Sequence, residues 1–216
     1  MIFHQDMNTI KNLLFDFGGV LVDLDMQRCS RAFRSLGIDV SQFLHSYRQE
    51  GTFLEFERGN VSFAQCCQEI RDTQHVPHVT DQQMAWAWNA FLLDVPAERL
   101  EFLLRLKSRY RLFLLSNTNH IHWQLAEDIY FRHKGLQIGD FFEQCFLSFR
   151  LHLDKPAPQI FHAVAQQGGI KPEETLFFDD SEKNCEAARQ CGFQALTAPL
   201  EGGWMNFFDS ELNLCK

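Results

Sequence analysis

The stretch "NLLFDFGGVLVDLD", residues 12–25, places a single carboxylate, Asp16, in an apolar run and follows it at once with Gly18 and Gly19. A continuous apolar segment closed by turn residues is the pattern of a strand covered on both faces. A charge there is costly to bury unless a metal or hydrogen-bond donors meet it. Paired glycines let a backbone turn sharply or approach a ligand closely. Taken alone, the segment also fits a buried strand ending in a tight turn, so its meaning depends on what the rest of the chain brings to the same place.

Beyond this strand the pattern changes twice. Residues 25–95 contain "MQRCSRAFRSLG", "SFAQCCQEIRDT" and "TDQQMAWAWNAFLLD", with apolar residues at three- and four-residue spacing, which predicts an all-helical block. Ser62 and Thr80 stand where helix N-caps are expected and Gly37 where a helix stops. Within "WAWNAF", Trp86, Trp88 and Phe91 are expected to fill the core of this block. From Pro96 onward, helices alternate with apolar strands: "YRLFLLSN", "QCFLSF", "TLFFDD" and "FQALTA". That alternation predicts an α/β fold with a Rossmann-like, doubly wound parallel sheet. The expected division is a core of residues 1–24 and 96–216 with a helical cap, 25–95, inserted after the first strand.

Composition limits the function classes. A net charge of −8 argues against nucleic acid or an anionic membrane as the main partner, while leaving room for an anionic small molecule met by a local cation. Seven cysteines without a C-x-x-C spacing read as reduced thiols. "MIFHQDMNTIKN" lacks the basic start and long apolar run of a signal peptide, and no segment approaches the ~20 apolar residues of a membrane span. A cytoplasmic monomer or weak dimer is the expectation.

In open parallel sheets, ligands bind beyond the carboxyl ends of the strands. Those ends carry Asp16, Ser116 with Asn117, and Asp179 with Asp180, and Lys155 lies in the loop before a further helix. Each has a structural alternative: Asp179, Asp180 and Ser116 as helix caps, and Lys155 as surface charge. Together and in this order they resemble the four motifs of the haloacid dehalogenase-like (HAD) hydrolase superfamily: "LLFDFGGVLVD", "LFLLSNTN", "LDKPAPQIF" and "LFFDDSEKN". The helical insertion is similar to the C1 cap of the phosphatase-rich branch. The whole set is most similar to bacterial sugar-phosphate phosphatases of the glucose-1-phosphate phosphatase type.

The resemblance implies a Mg²⁺-dependent phosphatase acting on a small phosphorylated metabolite, such as a sugar phosphate, through an aspartyl-phosphate. It makes Asp16 the nucleophile and a metal ligand, with the Gly18 carbonyl, Asp180 and Asp179 completing the metal set. Lys155 neutralises the nucleophile and phosphoryl oxygens, and Ser116 and Asn117 donate to those oxygens. In the cap, Glu57 and Arg58 beside Gly59 are expected to face the substrate, although such a pair is equally a surface salt bridge. His120 and His122 are read as surface or packing residues.

One position departs from the pattern. Many phosphatases of the superfamily carry a second Asp two residues after the nucleophile as general acid, and here Gly18 occupies it. A 2-haloacid dehalogenase also lacks that Asp, because halide leaves without a proton, but it gains nothing from an acidic pair. A non-catalytic binding protein is the third reading. For a phosphatase, Gly18 favours an ester with an acidic leaving group, such as an anomeric phosphate; a donor from the cap, with Glu57 the candidate, or a metal-oriented water is the alternative.

Overall fold

The structure, a computed structural model, describes residues 9–40, 44–45, 48–49 and 51–215. Its centre is a five-stranded parallel sheet of β1 (Asn12–Phe15), β4 (Arg111–Ser116), β5 (Gln144–Leu147), β6 (Thr175–Asp179) and β7 (Gln194–Thr197), in the order β5-β4-β1-β6-β7. β1 is central, with Leu14 opposite Phe113 on one side and Phe177 on the other. Successive strand residues face opposite sides. Leu13, Phe15, Leu112, Leu114 and Phe178 therefore pack with Leu100, Leu103 and Leu106 of α5 (Ala97–Leu106). Leu14, Phe113, Leu115 and Phe177 pack with α9 (Pro158–Gly168) and α10 (Glu182–Gln190) on the other face. Burial on both faces explains why these strands read as continuous apolar runs.

The connections after β4 and β5 are irregular. α6 (His120–Leu125) continues as a wide turn, Ala126–Tyr130, before the single turn α7 (Ile138–Phe141). The expected strand "QCFLSF" stops at Leu147, and Ser148–Leu151 forms one helical turn, α8. Near the C-terminus, Trp204 donates from its indole N–H to the Val20 carbonyl at 3.1 Å, tying that segment to the loop after β1.

Between β1 and α5 lie α1 (Met26–Ser35), α2 (Thr52–Glu57), α3 (Phe63–Gln74) and α4 (Asp81–Asn89). Ser62 and Thr80 each form a capping box with a Gln at the third helical position. Gly37 ends α1 with φ +79. This block has its own buried cluster, including Phe33, Phe53, Phe56, Cys67, Met84 and Trp88. Two departures from expectation appear. It is not all-helical: β2 (Leu44–His45) and β3 (Arg48–Gln49) pair antiparallel, in a stretch without helical apolar spacing. Nor is Trp86 a core residue: it is 58% exposed, because Met84, Ala87 and Trp88 form the buried face of α4 and leave Trp86 on the opposite face. The chain crosses between the two parts twice, side by side, where Asp25 N–H donates to the Phe91 carbonyl at 2.8 Å and Leu93 N–H to that of Asp23 at 2.9 Å.

Candidate active site

Asp16 is the first residue beyond β1, and its N–H still continues the ladder to the Phe178 carbonyl at 2.8 Å. Its Oδ1 accepts the Phe17 N–H at 2.7 Å. The two glycines that follow are not equivalent. Gly19 has φ +77, and a Cβ there would stand 2.5 Å from Asp180 Oδ2, so only glycine lets the Asp180 carboxylate lie against this turn. A Cβ on Gly18 would meet only the Leu24 side chain, at 3.4 Å.

Lys155 is not a surface charge. Its side chain is 1% exposed, and Nζ lies 2.8 Å from Asp16 Oδ1 and 2.6 Å from Asp179 Oδ2. Asn117 fixes the backbone that carries it: its Oδ1 accepts the Lys155 N–H at 2.8 Å and its Nδ2 donates to the Lys155 carbonyl at 2.9 Å. Asp179 is fully buried and heavily used. Oδ1 accepts from Ser181 N–H at 2.8 Å and Asn184 Nδ2 at 3.0 Å, and Oδ2 takes the lysine. Asn184 was missed in the sequence, although it stands in "DDSEKN" on the first turn of α10. The capping alternatives fail for Ser116 and Asp180: Asn119 caps α6, and Ser181 is the N-cap residue of α10.

Ligand atoms of Asp16, Asp179 and Asp180 lie within 4.8 Å of one another, the one such cluster of His, Cys, Asp or Glu among the described residues. Burial pushes the Asp16 carboxyl well above the usual range; Lys155 opposes this, and Asp179 and Asp180 reinforce it. Asp180 is also raised, by burial and by Asp179. Burial alone would push Lys155 down, but Asp16 and Asp179 hold it above its ordinary value and keep it charged. One ammonium against three carboxylates leaves unneutralised negative charge among hard oxygen donors. That donor set fits a divalent cation of the Mg²⁺ type.

A cavity of about 810 Å³ opens above these groups. Asp16, Gly18, Ser116, Asn117, Lys155 and Asp180 line it from the core, and Glu57 and Arg58 from the α2 side, with Leu54 and Trp88. Asp179 lies beneath the cavity rather than on its wall. The Glu57–Gly59 turn is pinned to the core. Arg58 Nε donates to Asp154 Oδ1 at 2.8 Å, and the His152 ring lies 2.9 Å from the Arg58 carbonyl. Ser148 Oγ, which accepts the Thr118 N–H, sits 2.7 Å from the Glu57 carbonyl. Gly59 has φ +69, and a Cβ there would be 2.2 Å from the Phe149 carbonyl oxygen, so the two backbones approach too closely for any side chain. Burial and then Asp154 push the Glu57 carboxyl up to about 8. His122, expected at the surface or in packing, is buried on the cavity wall and stacks on Trp88 with ring centroids 5.6 Å apart.

Known proteins resemble this chain in sequence and fold. The chain is 34% identical over 205 residues to the D-ribitol-5-phosphate phosphatase of Bacteroides thetaiotaomicron, covering 94% of this chain and 99% of that one. A HAD family enzyme from B. thetaiotaomicron, solved in complex with magnesium and inorganic phosphate, aligns with a TM-score of 0.90 and 38% identity, over 93% of this chain and 100% of that one. A predicted HAD-like hydrolase from Porphyromonas gingivalis aligns with a TM-score of 0.84 and 33% identity, over 92% and 95%. A defluorinating L-2-haloacid dehalogenase shares the fold at a TM-score of 0.55 and 20% identity, over 86% of this chain and 80% of that one. The family model for haloacid dehalogenase-like hydrolases matches residues 10–192, and the chain belongs to that family.

Proposed function

We propose that the protein is a Mg²⁺-dependent phosphomonoesterase for a small phosphorylated sugar or polyol, working through an aspartyl-phosphate on Asp16. The observation that carries this reading is the charge arrangement: three carboxylates at the ends of parallel strands around one buried lysine, at the floor of the cavity. A phosphate ester is a dianion, and a carboxylate reaches its phosphorus only where charge is neutralised. Asp16, Asp180 and the Gly18 carbonyl would hold the metal, which when bound supplies that neutralisation and orients the phosphoryl group. Asp179 was expected in the metal set. Its bonds to Lys155, Ser181 and Asn184 favour instead a positioning role beneath Lys155.

In this reading Lys155 opposes protonation of Asp16 and meets the phosphoryl oxygens. Ser116 Oγ and the Asn117 N–H donate to the same oxygens. The Asp16 carboxylate forms a bond to phosphorus as the ester P–O bond breaks, and water then releases orthophosphate. Glu57 and Arg58 stand on the wall that meets the leaving group. The named relative acts on a ribitol phosphate, whose leaving group is a primary alcohol; this favours a polyol or open-chain sugar phosphate over the anomeric ester that Gly18 alone pointed to.

Residues 25–95 act as the cap in this reading, supported by their separate buried cluster. Seven unbonded cysteines support a cytoplasmic location. A monomer or weak dimer, without nucleic acid or membrane partners, is in keeping with the net charge of −8; no helix among the described residues is long and apolar enough to cross a membrane.

The test is a panel of phosphate esters and 2-haloacids assayed with Mg²⁺ and with chelator. Phosphate release that chelator abolishes is the expected result. Halide release indifferent to chelator overturns the reading, and inactivity on both panels supports a binding role.

A further inference from the structure

Transfer of a phosphoryl group from a primary ester leaves an alkoxide, a strong base that departs readily only with a proton. On the phosphatase reading above, on which this inference rests, a group in the cavity supplies that proton. Lys155 is committed to Asp16 and Asp179, and Asp154 is paired with Arg58. His122 has Nε2 3.1 Å from the Trp88 carbonyl and Nδ1 3.4 Å from Asn119 Nδ2, and burial pulls it down to about 4. It is a neutral ring with both nitrogens engaged. The Cys29 thiol is pushed up to about 12 by burial and by Asp25, which makes it a poor acid. Gly18 has no side chain to offer.

Glu57 is the carboxyl that the α2 side brings to the same cavity. It lines the cavity at the end of α2, and its backbone is held by the Ser148 contact and the neighbouring Arg58–Asp154 pair. Its carboxyl, raised to about 8, is protonated at neutral pH. Asp154 is the charge that disfavours its ionised form, and Asp154 is in turn oriented by Arg58.

We propose that Glu57 is the general acid of the reaction, handing its proton to the ester oxygen as that oxygen leaves phosphorus, and the general base that takes it back from water. In the first step Asp16 gains a bond to phosphorus, the bonding pair of the ester P–O bond goes to the leaving oxygen, and the Glu57 proton joins it to give the alcohol. In the second step the Glu57 carboxylate takes one proton from water, the hydroxide adds to phosphorus, and the bond between Asp16 and phosphorus breaks, regenerating both side chains.

The experiment compares leaving groups. In the parent enzyme, kcat/KM reports phosphoryl transfer to Asp16, and with Glu57 as donor it falls only shallowly as leaving-group pKa rises from 4-nitrophenyl to simple alkyl phosphates. Glu57→Gln is expected to lower kcat/KM by about 100-fold or more on alkyl phosphates, within the usual range for general acid catalysis, and by less than about 5-fold on 4-nitrophenyl phosphate. An equal loss on both esters, or a change in KM alone, overturns the proposal and makes Glu57 a binding residue. A steep dependence in the parent overturns it without any variant. A parent inactive on every phosphate ester defeats the phosphatase reading itself, a result distinct from these.

Discussion

The two walls of the cavity are built on different principles. The core wall stands on parallel strands whose ladders run on both sides of β1, and its Lys155 side chain is 1% exposed over an Asp179 that is 0% exposed beneath it. The α2 wall belongs to a block with its own buried cluster and meets the core through polar contacts and a few ring contacts, such as Phe56 with His120; of its ion pair with the core, Arg58 is 35% and Asp154 22% exposed. Geometry on the core wall is thus coupled to the stability of the whole sheet. Geometry on the other wall depends on a few contacts that open at small cost. Chemistry needs the first kind of support, and admitting and releasing substrate needs the second.

The sharpest way to break this contrast is to remove Asp16, the proposed nucleophile. Asp16→Asn is expected to lower kcat by about 10⁴-fold or more. The same change relieves repulsion among three buried carboxylates, so the melting temperature is expected to hold or rise. A fall in both would make Asp16 a structural residue.

Lys155→Ala is expected to damage both properties. It leaves Asp16, Asp179 and Asp180 without a cation, and removing one partner of a buried pair typically costs about 3–5 kcal/mol. Thermal unfolding should therefore show a drop on the order of 10 °C, together with loss of turnover. A variant that melts like the parent would mean that the buried charges are relaxed by water.

Mg²⁺ provides a milder test of the same wall. At about 100 times its dissociation constant, a ligand bound only to the folded state adds about 2.7 kcal/mol. The parent's melting temperature should rise accordingly on adding Mg²⁺, and that of Asp180→Asn much less. Equal shifts would place the ion elsewhere.

The smallest effect is expected on the other wall. The Glu57 carboxyl is raised from 4.5 to about 8, so the folded state binds its proton more tightly than the unfolded chain does. Stability from this group is complete below about pH 4.5 and is lost as pH rises through 8. With allowance for partial exposure, the parent should lose about 1 kcal/mol more than Glu57→Gln between pH 5 and 8, roughly 2–4 °C in melting temperature. Parallel curves for the two proteins would show that Glu57 is solvated.

What the sequence disclosed follows the same division. Each core strand is apolar throughout because both faces are covered, so the charges at the strand ends, Asp16, Asp179 and Asp180, stand out; that Asp179 and Asp180 do more than cap a helix was suggested only by the motif order. Lys155 was legible only through its place in the motif order, since nothing local marks a lysine before a proline as buried. Asn184 and Ser148 escaped because their work is to hold a carboxylate or a carbonyl supplied by a distant segment. In the helical block, apolar spacing located the helices but could not assign two tryptophans two residues apart to opposite faces of α4. The β2–β3 pair escaped as well, being too short to impose a period.

The strand order also governs how the chain is made. β1 emerges early, yet its partner across β6 lies far downstream: Asn12 and Thr175, hydrogen-bonded side chain to side chain, are separated by 163 residues. At ordinary rates of synthesis of about 5–20 residues per second, that separation is a wait of roughly 8–33 s. The helical block, with mostly local contacts, can close its own cluster in the meantime, and even after β4 emerges β1 keeps one apolar edge unpaired until β6 follows. Such a segment is a template for association with other nascent chains unless a charge interrupts it. Asp16 supplies that charge, so the carboxylate proposed to act on phosphorus in the folded protein also guards the strand before the fold is complete.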